Sequence, residues 1–141
     1  MFKATNDAYK SRKSTIGEYL VRLGLALSDL IEIDGILVTR SSFWNKIGFN
    51  DMHGMYSLGD DENQGLIVHV QAYPTLSSDS TNPLICAWLK EMPRLSDNRE
   101  ERTHDTRVIK RLLEQRNYGE DPSVPARLIA EAYGEYERAS F

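Results

Sequence analysis

The 141-residue chain has one cysteine, three histidines and two tryptophans. A single thiol cannot close an internal disulfide, and Cys86 sits in the apolar run "LICAWL", the setting of a small buried hydrophobe. There is no CxxC and no HExxH, so a zinc site would have to gather His53, His69 and His104 from three unrelated segments. A phosphate-cradling glycine loop and a nucleophile elbow are also missing, and no metal or cofactor is called for. No stretch approaches the ~20 apolar residues of a membrane span, and the basic residues of "MFKATNDAYKSRKST" have no apolar run behind them. These absences point away from secretion and membranes and toward the reducing cytoplasm of a cell or of its host.

What is present fits one folded domain. Hydrophobic residues make up 40% and charged residues 27% of the chain, a balance that supports a buried core. The net charge of −4 is unevenly spread. Residues 1–22 carry five Lys/Arg against two acids, residues 23–71 two against seven, residues 99–116 six against four, and residues 117–141 two against five. A nucleic-acid binder needs a dominant positive surface, because each neutralised phosphate contributes through counterion release. Only the N-terminal arm, residues 1–12, and the segment near Arg107 offer one.

Periodicity gives the elements. In "STIGEYLVRLGLALSDLIEI" the residues Ile16, Leu20, Leu23, Leu27 and Leu30 recur at helical spacing, with Thr15 and Glu18 in capping-box register at the start. Asp34-Gly35 is a hairpin signal or the end of that helix, and either reading puts a strand at 36–40. Strands are predicted over 55–58 and 66–73, joined by "GDDENQG". In the second, Leu66, Val68 and Val70 point toward a core, while Ile67, His69, Gln71 and Tyr73 point to a mixed, partly exposed face. "NPLICAWLKEMP" is read as a buried strand, with a proline-led helix as the alternative. Two helices are predicted at the end. The first covers about 106–117, with Val108, Ile109, Leu112 and Leu113 inward and Gly119 closing it. The second has Pro125 in its first turn and Leu128, Ile129, Ala132 and Tyr133 on its apolar face. The expected fold is α+β: a two-layer domain over 13–141 with an N-terminal helix, a three- to four-stranded mainly antiparallel sheet and two C-terminal helices.

Function is less legible. The segment "NREERTHDTRVIKRLL", residues 98–113, gathers four arginines, one lysine and one histidine. Arg99 and His104 have the spacing of the arginine–histidine pair in helical RNases of the HEPN class, but that class is all-helical and this chain has strands in its middle. "HVQ" at 69–71 and "HDT" at 104–106 resemble the paired tripeptides of two-histidine phosphoesterases, though only the second carries the hydroxyl. On balance the chain reads as a non-enzymatic interaction protein, of the inhibitor, adaptor or chaperone type found on phages and mobile elements. It would bind a protein partner and could form a homodimer. Aromatic and basic side chains are the anchors such surfaces favour, which nominates Phe43, Trp44, Arg107, Lys110, Arg111, Tyr133 and Tyr136. The alternative is an RNA- or phosphodiester-directed protein built on the basic cluster from Arg99 to Arg111.

Overall fold

A computed structural model describes residues 2–40, 51–59, 65–73, 82–91 and 107–140, with the side chains of the first helix described from Thr15 onward. The elements run α1 (Phe2–Ser28), β1 (Ile33–Arg40), β2 (Met52–Leu58), β3 (Leu66–Tyr73), β4 (Leu84–Glu91), β5 (Arg107–Arg116) and α2 (Ser123–Ser140). The five strands form one antiparallel sheet in the order β1-β2-β3-β4-β5, so every neighbour in space is a neighbour in sequence. The α+β class stands, and the finer plan changes. Among the described residues there are five strands rather than three or four, and one C-terminal helix rather than two.

Register shows how the sheet divides its faces. The pairings Ile36↔Tyr56, Tyr56↔Val68, Val68↔Leu89 and Leu89↔Lys110 form one row across all five strands. Both helices cover this row. The Tyr56 hydroxyl donates to the Leu20 carbonyl of α1 at 2.8 Å, and Lys110 Nζ donates to the Ala132 carbonyl of α2 at 3.5 Å. Side chains alternate along a strand, so the next row, Leu37–Met55–His69–Trp88–Arg111, belongs to the opposite face. Among the described residues no helix lies on that face.

The core between helices and sheet follows the periodic residues. Ile16, Leu20, Leu23 and Leu27 of α1 are almost fully buried, each stabilising the fold by roughly 1.5–3 kcal/mol, while Leu30 is exposed beyond the helix end. They meet Val68, Val70, Ala72, Ile85, Ala87 and Leu89 of the sheet and Ile129 and Tyr133 of α2. Tyr56 crosses this layer between two glycines. A Cβ at Gly24 would lie 2.6 Å from the Tyr56 ring, and one at Gly54 would lie 2.5 Å from its hydroxyl oxygen. The tyrosine therefore requires a residue without Cβ on both sides.

Three local expectations are corrected. Thr15 lies inside α1, which already starts at Phe2, so Thr15 and Glu18 do not cap it. Asp34-Gly35 neither turns a hairpin nor ends the helix. α1 ends at Ser28, and the dipeptide lies in β1 where the pairing with β2 shifts between Ile33 and Gly35. Residues 107–116 form a strand, not a helix. Its pairing with β4 shifts three times, each shift adding one residue to β5, which is the signature of β-bulges. Bulges let the consecutive Leu112 and Leu113 both reach the core, so the spacing of Val108, Ile109, Leu112 and Leu113 satisfies a bulged strand as well as a helix. Pairing with the buried strand β4 decides between them, since tertiary context overrides helix propensity.

The link into α2 behaves as its residues dictate. Gly119 takes the left-handed φ of +90° expected for it, although a strand precedes it. The Asp121 carboxylate then accepts from the backbone N–H and the hydroxyl of Ser123, satisfying an orphan donor at the start of α2 and drawing the Asp121 pKa below the ordinary carboxylate range. Pro125 sits in the first turn, where no donor is lost.

Candidate functional site

The sheet face opposite α1 and α2 carries a mixed set of side chains at its centre. From β2 it receives His53 and Met55, from β3 Ile67, His69, Gln71 and Tyr73, from β4 Cys86, Trp88 and Lys90, and from β5 Val108 and Arg111. In β2, β3 and β4 these are the positions that alternate with the core, and in the bulged β5 they are the partners of Lys90 and Trp88. The mixed face expected for Ile67, His69, Gln71 and Tyr73 is therefore present, but Ile67 is 4% and His69 8% exposed, more buried than a solvated face would allow.

A polar chain runs through this patch. His53 Nδ1 and His69 Nε2 are 2.7 Å apart, a hydrogen bond that requires a proton on one nitrogen only. His53 Nε2 lies 3.5 Å from Asp51 Oδ2, which also accepts from the side-chain amide of Gln71. One tautomer satisfies the chain. His53 carries its proton on Nε2 toward Asp51, and His69 donates from Nε2 to the bare His53 Nδ1. His69 Nδ1 is then a lone pair, and it is buried without a partner among the described residues, as is Asp51 Oδ1.

Electrostatics keep the pair neutral. Burial pushes the His69 pKa down to about 3, with the Lys90 ammonium and His53 adding to the effect. Burial also lowers His53, opposed by Asp51 and reinforced by Lys90. The Cys86 thiol is raised by burial, and the nearby Arg111 and Lys90 only partly offset this, which disfavours the thiolate. Lys90 itself is lowered by burial. A general base must offer a free nitrogen to its substrate. Here both His53 nitrogens face protein groups and His69 is covered, so the pair serves better as the polar core of the face than as a reaction centre.

Next to the pair stands Trp88. Its ring lies 5.7 Å from that of His69, with Lys90 Nζ 5.4 Å and Arg111 Cζ 5.6 Å from its centroid. The cations follow from register: Lys90 is two residues along the same strand, and Arg111 is directly across from Trp88. Neither forms an ion pair with a carboxylate among the described residues. Arg107, in contrast, is bridged to Glu91 at 2.6 Å, and Lys110 to Glu135 at 4.0 Å.

The nominated residues thus separate. Arg111 is exposed on the face opposite α1 and α2 beside Trp88, Arg107 lies at the start of β5, and Lys110 turns to α2, so the three do not form one basic flank. Tyr133 is 3% exposed in the core, which leaves it no surface to present, and Tyr136 is half-buried against the same core with its ring 6.4 Å from that of Tyr133. Phe43, Trp44, Arg99, Arg102 and His104 lie outside the described residues. Sequence reading missed Trp88, Lys90, His53 and Asp51 as a group. The signal was available in the alternation of β2 and β4, but it could be used only once β2, β3 and β4 were known to be adjacent.

Among the described residues no three His, Cys, Asp or Glu side chains are grouped to hold a metal ion, and no helix is long and apolar enough to cross a membrane. Compared with family models, curated proteins and solved structures, the chain matches none of them.

Proposed function

We propose that this protein is a non-enzymatic interaction module whose sheet face opposite α1 and α2, centred on Trp88, receives a segment of a protein partner. The observation that carries the reading is Trp88 flanked by Lys90 and Arg111, two cations with no carboxylate partner among the described residues, on the sheet face opposite α1 and α2. Tryptophan and arginine dominate binding energetics where they are surrounded by packed neutral contacts; here the neutral His69 ring lies against Trp88, and the exposed Val108 lies across from Lys90. The matching segment presents an apolar side chain to Trp88 and a carboxylate to Arg111. The test is a photo-crosslinking residue placed at Arg111 and, in a separate variant, at the exposed Arg127 of α2, each expressed in the native cell. A protein crosslinked from position 111 and not from 127 supports the reading. Equal capture from both positions, or none, contradicts it.

The same trio favours one other reading, a single-stranded RNA whose base stacks on Trp88 and whose phosphates meet the cations. The net charge of −4 weighs against it. Salt-sensitive binding of a random single-stranded RNA that Arg111→Glu abolishes would replace the first reading with this one.

A further inference from the structure

The two edges of the sheet are unequally protected. β5 is charged along its length, with Arg107, Lys110, Arg111, Glu114 and Arg116, and its pairing is broken by three bulges. Charges and bulges are the means by which edge strands resist pairing with another chain. β1 has neither over its central part. The run Gly35-Ile-Leu-Val-Thr39 is uncharged and pairs with β2 in continuous register. Leu37 is 55% exposed and Ile36 36%.

The helix beside this edge continues the apolar surface. Gly24 of α1 faces Tyr56 and Ile36, while Tyr19, on the opposite flank of the helix, donates to the Gly119 carbonyl. At 100° per residue Val21 and Leu25 lie beyond Gly24, on the β1 side, and both are exposed. The edge strand and the helix flank therefore present one apolar strip.

We propose that β1 pairs antiparallel with β1 of a second copy of this chain about a two-fold axis at Leu37, making one continuous sheet of two protomers. The charges at the ends of the strand select this occupant. An antiparallel pair centred on Leu37 sets each residue against the one equally far on the other side of the centre, so Asp34 faces Arg40 of the second copy and Arg40 faces its Asp34. Both side chains are exposed, and neither has an ion-pair partner among the described residues. Ile36 then meets Val38 of the second copy on the helix side, where Val21 and Leu25 extend the apolar contact, and Leu37 meets its own counterpart on the other side of the sheet. The paired edge lies three strands from Trp88, and the pairing does not depend on that side chain.

Sedimentation equilibrium of the full chain, from low micromolar to hundreds of micromolar protein, tests the proposal with a charge-swap set. Wild type is expected to dimerise. Asp34→Arg and Arg40→Asp each replace two attractions by two repulsions and should weaken the dimer roughly tenfold or more, whereas the double swap should restore it to near the wild-type constant. Both substituted positions are exposed, and unchanged far-UV circular dichroism establishes that the fold is intact in all three variants. A wild-type monomer throughout the range overturns the proposal, as does a dimer indifferent to the single reversals. So does a monomer whose β1 amides gain exchange protection only on adding a foreign extended peptide, which would assign the edge to another protein.

Discussion

Acidification should destabilise this protein through the His53–His69 pair, by an amount that can be worked from the structure. In the unfolded chain an imidazole titrates near 6.5, whereas in the fold His69 titrates at about 3. Between these values the unfolded state binds the extra proton, so stability is fully present above pH 6.5 and is lost as pH falls toward 3. At pH 5 the window has been crossed by 1.5 units, and at 1.36 kcal/mol per unit the loss from His69 is about 2 kcal/mol. Because pH 5 lies well above the folded value, the figure barely depends on where near 3 that value falls. His53 is lowered in the same direction and adds to the loss. Against a total stability of ~5–15 kcal/mol this is a large fraction. In urea, with a slope of ~1–3 kcal/mol/M, the midpoint should drop by about 1 M between pH 8 and pH 5. The carboxylates of the chain also titrate, so the comparison is with His53→Leu/His69→Leu, in which they are unchanged. The double variant should lose at least ~2 kcal/mol less than wild type over the same interval. Parallel losses in the two proteins would falsify the assignment of a buried neutral pair, as would a His69 ring resonance titrating near pH 6.5.

Other consequences follow from the packing. Gly24→Val forces side-chain atoms into Tyr56 and Ile36 and should cost ~2–4 kcal/mol in chemical denaturation, whereas Gly35→Ala, where an added Cβ meets nothing within 4 Å, should cost under ~1 kcal/mol. Tyr56→Phe removes the donor to the Leu20 carbonyl inside the core and should cost ~1–3 kcal/mol with the fold retained, which a urea midpoint would show. Arg107→Ala breaks only an exposed ion pair and should shift stability by less than ~1 kcal/mol. Cys86, 2% exposed with its thiol pKa raised, should react with a thiol reagent at the rate of local opening, and fast labelling in the native state would contradict its placement.

Where sequence reading succeeded, a local pattern and the tertiary outcome agreed. The heptad-like stripe Ile16, Leu20, Leu23 and Leu27 marks the buried side of α1, and the alternation in "LIVHVQAY" gives both faces of β3, because each is a repeat imposed by one element's own geometry. In β5 the local pattern is ambiguous: three bulges convert an alternating strand into a spacing that a helix also satisfies. That ambiguity carried the site with it. A helix would have grouped Arg107, Lys110 and Arg111, while the strand sends Lys110 to α2 and Arg111 to Trp88. The His53–His69 contact joins residues sixteen apart through a register that no local signal specifies, which is why a pair of scattered histidines became a buried hydrogen bond only in the folded sheet.

The central claim is that the face around Trp88 is where the partner is met. Its most direct measurement is the affinity of the protein crosslinked at position 111 for wild type and for Arg111→Glu. Charge reversal at a desolvated contact should weaken binding at least about tenfold, through faster dissociation, while the melting temperature stays unchanged. Equal affinity of the two proteins would contradict the account and place the partner elsewhere on the molecule.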